Sequence, residues 1–269
     1  MKELMVETAA GRLYSCAEGP ADAPAIVLSH SLGANLAMWD PQMQMLTRHR
    51  RVIRYDTRGH GASDTPPGPW SFDDLVADAL VVMDAHGVAR ADFLGLSLGG
   101  MTGLGLGLAH PDRLERLIVA DARADAPEPF RANWDTRIAK IRAGGLEAIA
   151  DATLESWFTA EWRRDNPGTV AEIRAMIRAT DPEGYLHTCA TLKTLDYLRA
   201  LGDLRVPALF LCGEHDAGAP ADAMRAMAAA APDGRFELVP RAAHVANINN
   251  PADFNAAVAA FLDLAGEGA

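Results

Sequence analysis

The sequence predicts an α/β fold with a mainly parallel sheet of eight strands, helices on both faces and an inserted helical segment. Short buried apolar runs alternate with helical patterns as far as Ala120, which is typical of parallel strands joined by helices. Residues 122–203 then show helical patterning only, with three of the five tryptophans, before the strand pattern resumes. We therefore expect one core, residues 1–121 and 204–269, interrupted by a helical cap over residues 122–203.

Composition narrows the class of protein. The chain has 269 residues, 49% of them hydrophobic, so it can bury a sizeable core. The formal net charge is -11 and no Lys/Arg cluster interrupts the acidity, which makes nucleic acid and anionic membrane poor partners. No apolar run approaches the roughly 20 residues of a membrane span. Residues 1–7 carry two acids and no apolar stretch, so we expect no signal peptide.

The cysteines indicate the expected compartment. Cys16, Cys189 and Cys212 are an odd number, lie far apart and lack metal-ligand spacing. Reduced, partly buried thiols in a cytoplasmic protein are the expectation.

Each predicted element has a local signal. Ala9-Ala10-Gly11 suits a hairpin turn, and Pro41 is tolerated in the first turn of a helix. Ser71 with Asp74 resembles a capping box, and Gly87 suits a helix end. The expected strands contain residues 4–6, 12–16, 25–28, 52–55, 93–96, 117–120, 207–212 and 235–239; helices include 40–46, follow Ser71 and Ser97, and cover 221–231 and 251–264; residues 266–269 are expected to fray.

The segment Gly95-Leu96-Ser97-Leu98-Gly99 has the Gly-x-Ser-x-Gly pattern of a nucleophile elbow, in which a serine lies on a sharp turn between a strand and a helix. Such a serine has a strained backbone and crowds the residues two positions away. Glycines at 95 and 99 relieve the crowding because they lack a Cβ. The following helix directs its N-terminal amides at whatever Ser97 attacks.

A nucleophilic serine needs a base to take its proton and an acid to orient that base. On such a sheet the partners follow the serine in the order acid, then histidine. Asp216 follows the strand that ends at Cys212, and His244 follows the strand that ends at Val239. Both stand at carboxyl ends of parallel strands, where sites in open α/β sheets assemble. We predict a catalytic triad of Ser97, Asp216 and His244.

Two other acids compete with Asp216 for the role of triad acid. Glu214 lies two residues nearer the strand and is alternatively a loop residue with no role. Asp121 follows the strand after the elbow, and we favour its other interpretation, a hydrogen bonder at the boundary of the cap. Among the histidines, His86 is assigned to surface capping of a helix end and His60 to a structural loop role.

The tetrahedral oxyanion of acyl transfer needs two preorganised donors. We expect the backbone amides of Leu98, directly after the serine, and of Leu32, in the loop after the third strand. The run Gly103–Leu108 imitates a dinucleotide motif, but it lies inside a helix and indicates close packing. No His, Cys and acidic cluster has metal spacing, so we predict no metal and no cofactor.

These features resemble the α/β-hydrolase superfamily over essentially the whole chain, and more closely the 3-oxoadipate enol-lactonases. The stretches that carry the closer resemblance are Ser31-Leu32-Gly33, Met38-Trp39-Asp40, Arg54–Ser63, Gly95–Gly100, Trp134 with Arg137-Ile138, Trp157-Phe158-Thr159, and Gly184-Tyr185 with Cys189. The chain departs from that pattern where Leu98 replaces a methionine and His30 replaces an asparagine. The resemblance implies the same triad and oxyanion donors and makes Trp134 a wall of the pocket.

An enol-lactone that carries a carboxylate needs a cation in its pocket. The candidates in the cap are Arg131, Arg137 and Lys193, and each is alternatively a solvated side chain on a helix face. Our predicted substrate-binding residues are Trp134, Arg137, Trp157 and His187, although His187 is left open between pocket and solvent.

The expected function is a serine hydrolase that cleaves a lactone or small carboxylic ester through an acyl-enzyme. The same triad also serves hydrolysis of a carbon–carbon bond in a β-diketone or ring-fission product, and a third hypothesis is a ligand-binding protein with negligible turnover. Dehalogenase and epoxide hydrolase chemistry is excluded because those enzymes need an aspartate where this chain has Ser97. The expected partner is a small-molecule substrate, and a homodimer is left open.

Overall fold

The computed structural model describes residues 1–264. Eight strands form one sheet in the order β1-β2-β4-β3-β5-β6-β7-β8. β1 and β2 are antiparallel to their neighbours, and β3 to β8 are parallel. The strands are β1 (Lys2–Glu7), β2 (Arg12–Glu18), β3 (Ala25–Ser29), β4 (Arg51–Tyr55), β5 (Ala91–Leu96), β6 (Leu114–Ala120), β7 (Ala208–Gly213) and β8 (Gly234–Val239).

Helices connect the parallel strands and cover the sheet. The helices are α1 (Asp40–Leu46), α2 (Phe72–Ala85), α3 (Leu98–Ala109), α4 (Glu128–Gly144), α5 (Glu147–Trp157), α6 (Ala160–Asp165), α7 (Pro167–Ala179), α8 (Pro182–Leu192), α9 (Ala221–Ala230), α10 (Ala246–Asn249) and α11 (Pro251–Phe261), with short 3-10 turns at Leu36–Trp39, Pro111–Arg113 and Leu198–Asp203. Among residues 1–264, none of these helices combines the length and apolar character that crossing a bilayer requires.

The sheet separates two hydrophobic clusters because successive side chains of a strand point to opposite faces. In β3, Val27 belongs to one cluster, whereas Ile26 and Leu28 belong to the other. Helices α2, α3 and α9 pack on the first face, and α1 and α11 pack on the second. Close packing of α3 explains its glycines, since a Cβ at Gly103 would lie 2.9 Å from both Leu117 and Phe93. The predicted layers are therefore confirmed.

Local signals located most element boundaries. The Ser71 hydroxyl accepts from the amide of Asp74, whose carboxylate accepts from the amide of Ser71, so the predicted capping box is present. The final helix ends three residues before the predicted Leu264, and the short helix α10 was missed. The expected fraying of residues 266–269 lies outside the described residues.

The assignment of His86 to surface capping was wrong. The ring is 3% exposed, and its Nε2 lies 3.0 Å from the hydroxyl of Ser15 on β2. It is covered because the end of α2 packs against the antiparallel edge of the sheet, a contact between residues far apart in sequence. Burial lowers the pKa of His86 to about 4, so the ring is neutral at pH 7.

Between β6 and β7 the chain forms the helical segment, defined here as residues 122–203. It contains α4 to α8, as the pattern predicted, but it begins with an irregular stretch paired to Asp196 through Asp125. Its side chains join both hydrophobic clusters: Tyr185 and Cys189 enter one, and Trp157 and Ile177 enter the other. The segment therefore packs on the same core that holds the strand ends.

Candidate active site

Ser97 lies on the sharp turn between β5 and α3 with φ 54° and ψ -113°, a backbone conformation that non-glycine residues rarely adopt. Its amide donates to the carbonyl of Ala120 at 2.8 Å, and its carbonyl accepts from Met101 at 2.9 Å. A Cβ at Gly95 would overlap the carbonyl of Gly99, and one at Gly99 would overlap the carbonyl of Ser29. Glycine is therefore required on both sides of the strained serine, but the crowding comes from the backbone of the turn and of β3 and not, as expected, from Ser97 itself.

The structure brings Ser97 together with two residues from the ends of β7 and β8. The Oγ of Ser97 lies 2.9 Å from Nε2 of His244, and Nδ1 of His244 lies 2.8 Å from Oδ2 of Asp216. The other oxygen of Asp216 accepts from the amides of Gly218 at 2.7 Å and Ala219 at 3.1 Å. These backbone bonds fix the carboxylate, which in turn fixes the ring of His244.

The electrostatics of His244 follow from this arrangement. Burial by itself would lower the pKa of the ring, but the charge of Asp216 and its hydrogen bond to Nδ1 outweigh burial, so the pKa of His244 is raised above 6.5. The carboxylate therefore holds the proton on Nδ1 and leaves Nε2 free to accept a proton from Ser97.

Asp121 lies beside this group in a different role. It is fully buried with φ 46°, and its carboxylate accepts from the amides of Gly213 at 2.7 Å and Ala246 at 3.3 Å. Burial first, and the nearby charge of Asp216 second, raise the pKa of Asp121 well above its usual value. Asp121 joins the ends of β6 and β7 to the loop after His244, as expected of a boundary hydrogen bonder.

Asp121, Asp216 and Cys212 are candidate metal ligands at this edge of the sheet, because their potential ligand atoms lie within 4.8 Å of one another. The carboxylate oxygens are already occupied by backbone amides and by His244. The thiol of Cys212 donates to backbone carbonyls, and burial raises its pKa, so the ligand-competent thiolate is disfavoured. These side chains form a hydrogen-bonded support for the site and do not fit a metal.

Glu214, the other competing acid, does not line the cavity that contains Ser97 and makes no hydrogen bond to His244 within residues 1–264. Its carboxylate accepts from the amide of Arg241 at 2.8 Å on an exposed loop. This contact fits the alternative interpretation of Glu214 as a loop residue.

The two amides expected to bind an oxyanion belong to Leu98, next to Ser97 in the chain, and to Leu32, which lines the same cavity as Ser97. The amide of Leu98 opens α3 directly after Ser97. In the loop after β3, the amides of Ser31 and Gly33 donate to Met38 and His60, whereas within residues 1–264 the amide of Leu32 between them has no protein acceptor. A free amide flanked by two occupied ones is suited to bind a ligand oxygen.

A cavity lies over Ser97 and His244, between the strand ends and the helical segment. Leu32, Met101, Gly218 and Ala219 form the wall that belongs to the strand ends. The opposite wall belongs to the helical segment and contains Arg123, Phe130, Asn133, Trp134, Arg137, Thr153, Ser156, Trp157 and Tyr185.

Three of the four predicted substrate-binding residues, Trp134, Arg137 and Trp157, line this cavity, but His187 does not. His187 packs against the ring of Trp70, with 5.1 Å between the ring centroids, on the far side of α8 from the cavity residue Tyr185. The prediction for His187 was therefore wrong. Residues 185 and 187 are two apart on a helix, and positions two apart do not share a face.

The three candidate cations have different surroundings. Arg131 pairs with Glu128 at 2.8 Å on an exposed helix face, and Lys193 pairs with Asp135. Arg137 instead faces the cavity, where Nε donates to the hydroxyl of Tyr185 at 2.8 Å and a second nitrogen donates to Thr153. Within residues 1–264 no carboxylate lies within ion-pair distance of Arg137.

Tyr185 and Thr153 are site residues that sequence analysis missed. Gly184-Tyr185 carried part of the family resemblance, which was the one signal for Tyr185. Thr153 had none, because an isolated threonine in a helix has no distinguishing pattern.

Fold, elbow and cavity together define a class of protein. The family model described as alpha/beta hydrolase fold matches residues 24–251, and the chain belongs to this family.

Individual relatives are similar over nearly the full length. The 3-oxoadipate enol-lactonase 2 of Acinetobacter baylyi is 34% identical over 91% of this chain and 90% of its own. The crystal structure of the enol-lactonase from Burkholderia xenovorans LB400 has a TM-score of 0.91 and 39% identity, covering 95% of this chain and 99% of that one. RutD of Caulobacter vibrioides, provisionally named a carbamate hydrolase, is 32% identical over 98% of this chain and 99% of its own.

Proposed function

We propose that this protein is a serine hydrolase that cleaves a lactone or small carboxylic ester bearing a free carboxylate. Ser97 is the nucleophile, His244 the general base and Asp216 the acid that orients His244. The 2.9 Å and 2.8 Å contacts that join the three side chains support these roles. The full-length similarity to enol-lactonases supports the reaction class.

The reaction has two halves. Nε2 of His244 takes the proton of Ser97 as Oγ attacks the acyl carbon, and the amides of Leu32 and Leu98 receive the negative charge on the carbonyl oxygen. As the intermediate collapses, the imidazolium of His244 protonates the leaving oxygen. A water molecule, deprotonated by the same ring, then attacks the acyl-enzyme and restores Ser97.

Arg137 carries the proposal of an anionic substrate. It is a half-buried cation in the wall of the cavity, it is held by neutral partners, and its charge is not compensated by a carboxylate within residues 1–264. A substrate carboxylate would supply the missing charge through the planar fork of the guanidinium. The Acinetobacter relative is named for 3-oxoadipate enol-lactone, which fits this requirement. A dicarboxylic acid that has formed one lactone keeps one free carboxylate.

The helical segment acts as a cap over the site in this proposal, with residues 1–121 and 204–269 as the hydrolase core. The assignment of a cap is supported by the cavity wall that the segment supplies opposite Ser97. A cytoplasmic location is part of the proposal and rests on three free cysteines, all of them buried.

The experiment compares two esters with the same leaving group, mono-p-nitrophenyl succinate, which has a free carboxylate, and p-nitrophenyl acetate, which has none. In Arg137→Met the apolar stem remains and the charge is removed. We expect kcat/KM for the succinate ester to fall about ten- to a hundredfold, the loss of one charge-assisted hydrogen bond, while the acetate changes less than about threefold.

The matched control is Arg131→Met, which removes a cation from the same helix outside the cavity, and both esters should then react as with the natural protein. An equal loss on both esters in Arg137→Met would show that Arg137 supports the fold of the site. A carbamate substrate, suggested by RutD of Caulobacter, is the second candidate and is tested by replacing the ester with p-nitrophenyl carbamates.

A further inference from the structure

Two loops lie side by side at the carboxyl edge of the sheet, next to Ser97. The first follows β3 and contains Leu32, and the second follows β4 and runs from Asp56 to Gly61. β3 and β4 are parallel neighbours, with Ser29 in register with Tyr55, so both loops leave the sheet at the same level. The second loop belongs to the run Arg54–Ser63, to which the proposed chemistry assigns no role.

Two buried histidines join these loops reciprocally. His30 in the first loop accepts at Nε2 from the amide of Thr57 in the second, at 2.9 Å. His60 in the second loop accepts at Nε2 from the amide of Gly33 in the first, at 3.0 Å. Their ring centroids are 5.2 Å apart, and both residues are at most 1% exposed.

Backbone partners define the tautomer of each ring. A backbone N–H can only donate, so both Nε2 atoms are acceptors and the ring protons are on Nδ1. Nδ1 of His30 then donates to the carbonyl of Ser31 at 2.8 Å, and Nδ1 of His60 donates to the carbonyl of Arg58 at 3.1 Å. Burial lowers the pKa of His30 to about 4 and of His60 to about 3, so both rings are neutral at pH 7.

The bond from His30 controls the direction of the Leu32 amide. The carbonyl of Ser31 and the N–H of Leu32 belong to one planar trans peptide and point in opposite directions. His30 and the amide of Ala34 at 3.1 Å both donate to this carbonyl, so they also set where the Leu32 N–H points. His60 fixes the next peptide through the amide of Gly33.

The helical segment closes the other side of this loop. Gly33 has φ 78°, and a Cβ there would lie 2.9 Å from the ring of Tyr185. The loop is therefore held between the two imidazoles and Tyr185, and the Leu32 amide has little freedom to rotate.

We propose that His30 and His60 are positioning residues that aim the Leu32 amide at the oxyanion formed during attack by Ser97. The inference rests on the proposed function, in which the Leu32 amide is one of two oxyanion donors. Neither histidine contacts the reacting atoms, so their effect should fall on the transition state and spare substrate binding.

The test replaces His30 in two ways. His30→Leu removes both hydrogen bonds, and we expect kcat for p-nitrophenyl acetate to fall about ten- to a hundredfold with KM within about twofold, as for a misplaced oxyanion donor. In His30→Asn the side-chain amide can still donate near the position of Nδ1, so kcat should stay within about threefold of the natural value, since the Ser31 peptide is still held.

The matched control is His86→Leu, which also removes a buried neutral histidine with a side-chain hydrogen bond but lies at the antiparallel edge of the sheet. It should lower the melting temperature and leave kcat unchanged. If His30→Leu does not fold, the pair His60→Phe and His60→Gln gives the same comparison, because glutamine can still accept from the Gly33 amide.

The decisive readout is affinity for an alkyl trifluoromethyl ketone, which adds to Ser97 and places an oxyanion on the same donors. Its inhibition constant should rise in His30→Leu by the same factor by which kcat falls, while the affinity of the product acid is unchanged. An unchanged ketone affinity, or an equal loss of kcat in His30→Asn and His30→Leu, would overturn the inference. Failure of the proposed function is a separate result: the natural protein would then not bind the ketone or label with a fluorophosphonate at Ser97.

Discussion

The two walls of the cavity are built in opposite ways. The wall at the strand ends depends on backbone geometry: Ser97 has an unusual φ, and its flanking glycines have no room for a Cβ. The wall from the helical segment depends on side chains, some buried in the core, such as Trp157 and Tyr185, and some on the exposed helix α4. Of the 17 residues of α4, which carries Trp134 and Arg137, only Ile141 is buried.

This difference teaches where change is tolerated. A substitution at the strand ends disturbs backbone that neighbouring strands hold in register, so the reaction itself should fail. A substitution on the inner face of α4 alters one contact with the substrate and little else, so selectivity should change while the reaction survives. The comparison predicts effects of very different size for the two walls.

The largest effect is expected for Ser97→Ala. Removing the nucleophile should lower kcat for p-nitrophenyl acetate by roughly 10⁴- to 10⁶-fold, with an unchanged circular dichroism spectrum and melting temperature within a few degrees. Fluorophosphonate labelling should also disappear. If most of the turnover remains, the wall at the strand ends does not perform the chemistry.

A slightly smaller loss is expected for Asp216→Asn. The neutral amide no longer holds His244 in the working tautomer, which should lower kcat by roughly 10³- to 10⁴-fold. Because the charge of Asp216 raises the pKa of His244 and only the neutral ring accepts a proton, the natural protein should lose activity as pH falls through a midpoint above 6.5. In the variant the midpoint of the residual activity should move to lower pH. If the midpoint does not move, Asp216 does not set the pKa that limits activity at low pH.

The smallest effect is expected on the other wall, for Trp134→Ala. The guanidinium of Arg137 lies 5.6 Å from the indole centroid, so the indole helps to hold Arg137 where a substrate carboxylate would bind. Such a contact is worth about 0.5–1 kcal/mol at exposed sites, and its loss should raise KM for a carboxylate ester roughly two- to fivefold. Labelling of Ser97 by a fluorophosphonate should continue at nearly the natural rate.

The control for Trp134→Ala is Trp162→Ala. Trp162 stacks on Phe158 in the same segment and does not line the cavity, so its loss should lower the melting temperature and leave KM unchanged. If Trp134→Ala abolishes labelling, the two walls are not separable and the comparison fails.

Much of the fold could be predicted from the alternation of strand and helix patterns, and one wall of the site from residues 93–100 and two loops. Ser97 is recognisable because its turn requires glycines at fixed spacing, and that requirement is local. Asp216 and His244 are recognisable because parallel strands end at one edge of the sheet, so a loop position predicts a place in space. Trp134, Arg137 and Trp157 lie in stretches that resemble a known family, and that resemblance added them to the predicted pocket, where no local rule would have placed them.

The other wall could be predicted only in outline. The helical pattern of the segment is evident, but which face of each helix meets the cavity depends on packing between distant residues. Arg131 and Arg137 look alike in sequence, yet one pairs with Glu128 at the surface and the other meets Tyr185, 48 residues away. His187 and His86 were misjudged for the same reason, since burial of a side chain is decided by the elements packed against it.

The sequence by itself determined the order of strands and helices, the strained serine turn and the loops that supply its partners, because periodicity, glycine spacing and strand ends are properties of short stretches. Only the tertiary structure decided which cation faces the cavity and that the loops of His30 and His60 exchange hydrogen bonds. Each of these depends on groups from separate strands or helices meeting in a buried space, where an unpaired polar group is costly and only a particular partner will satisfy it.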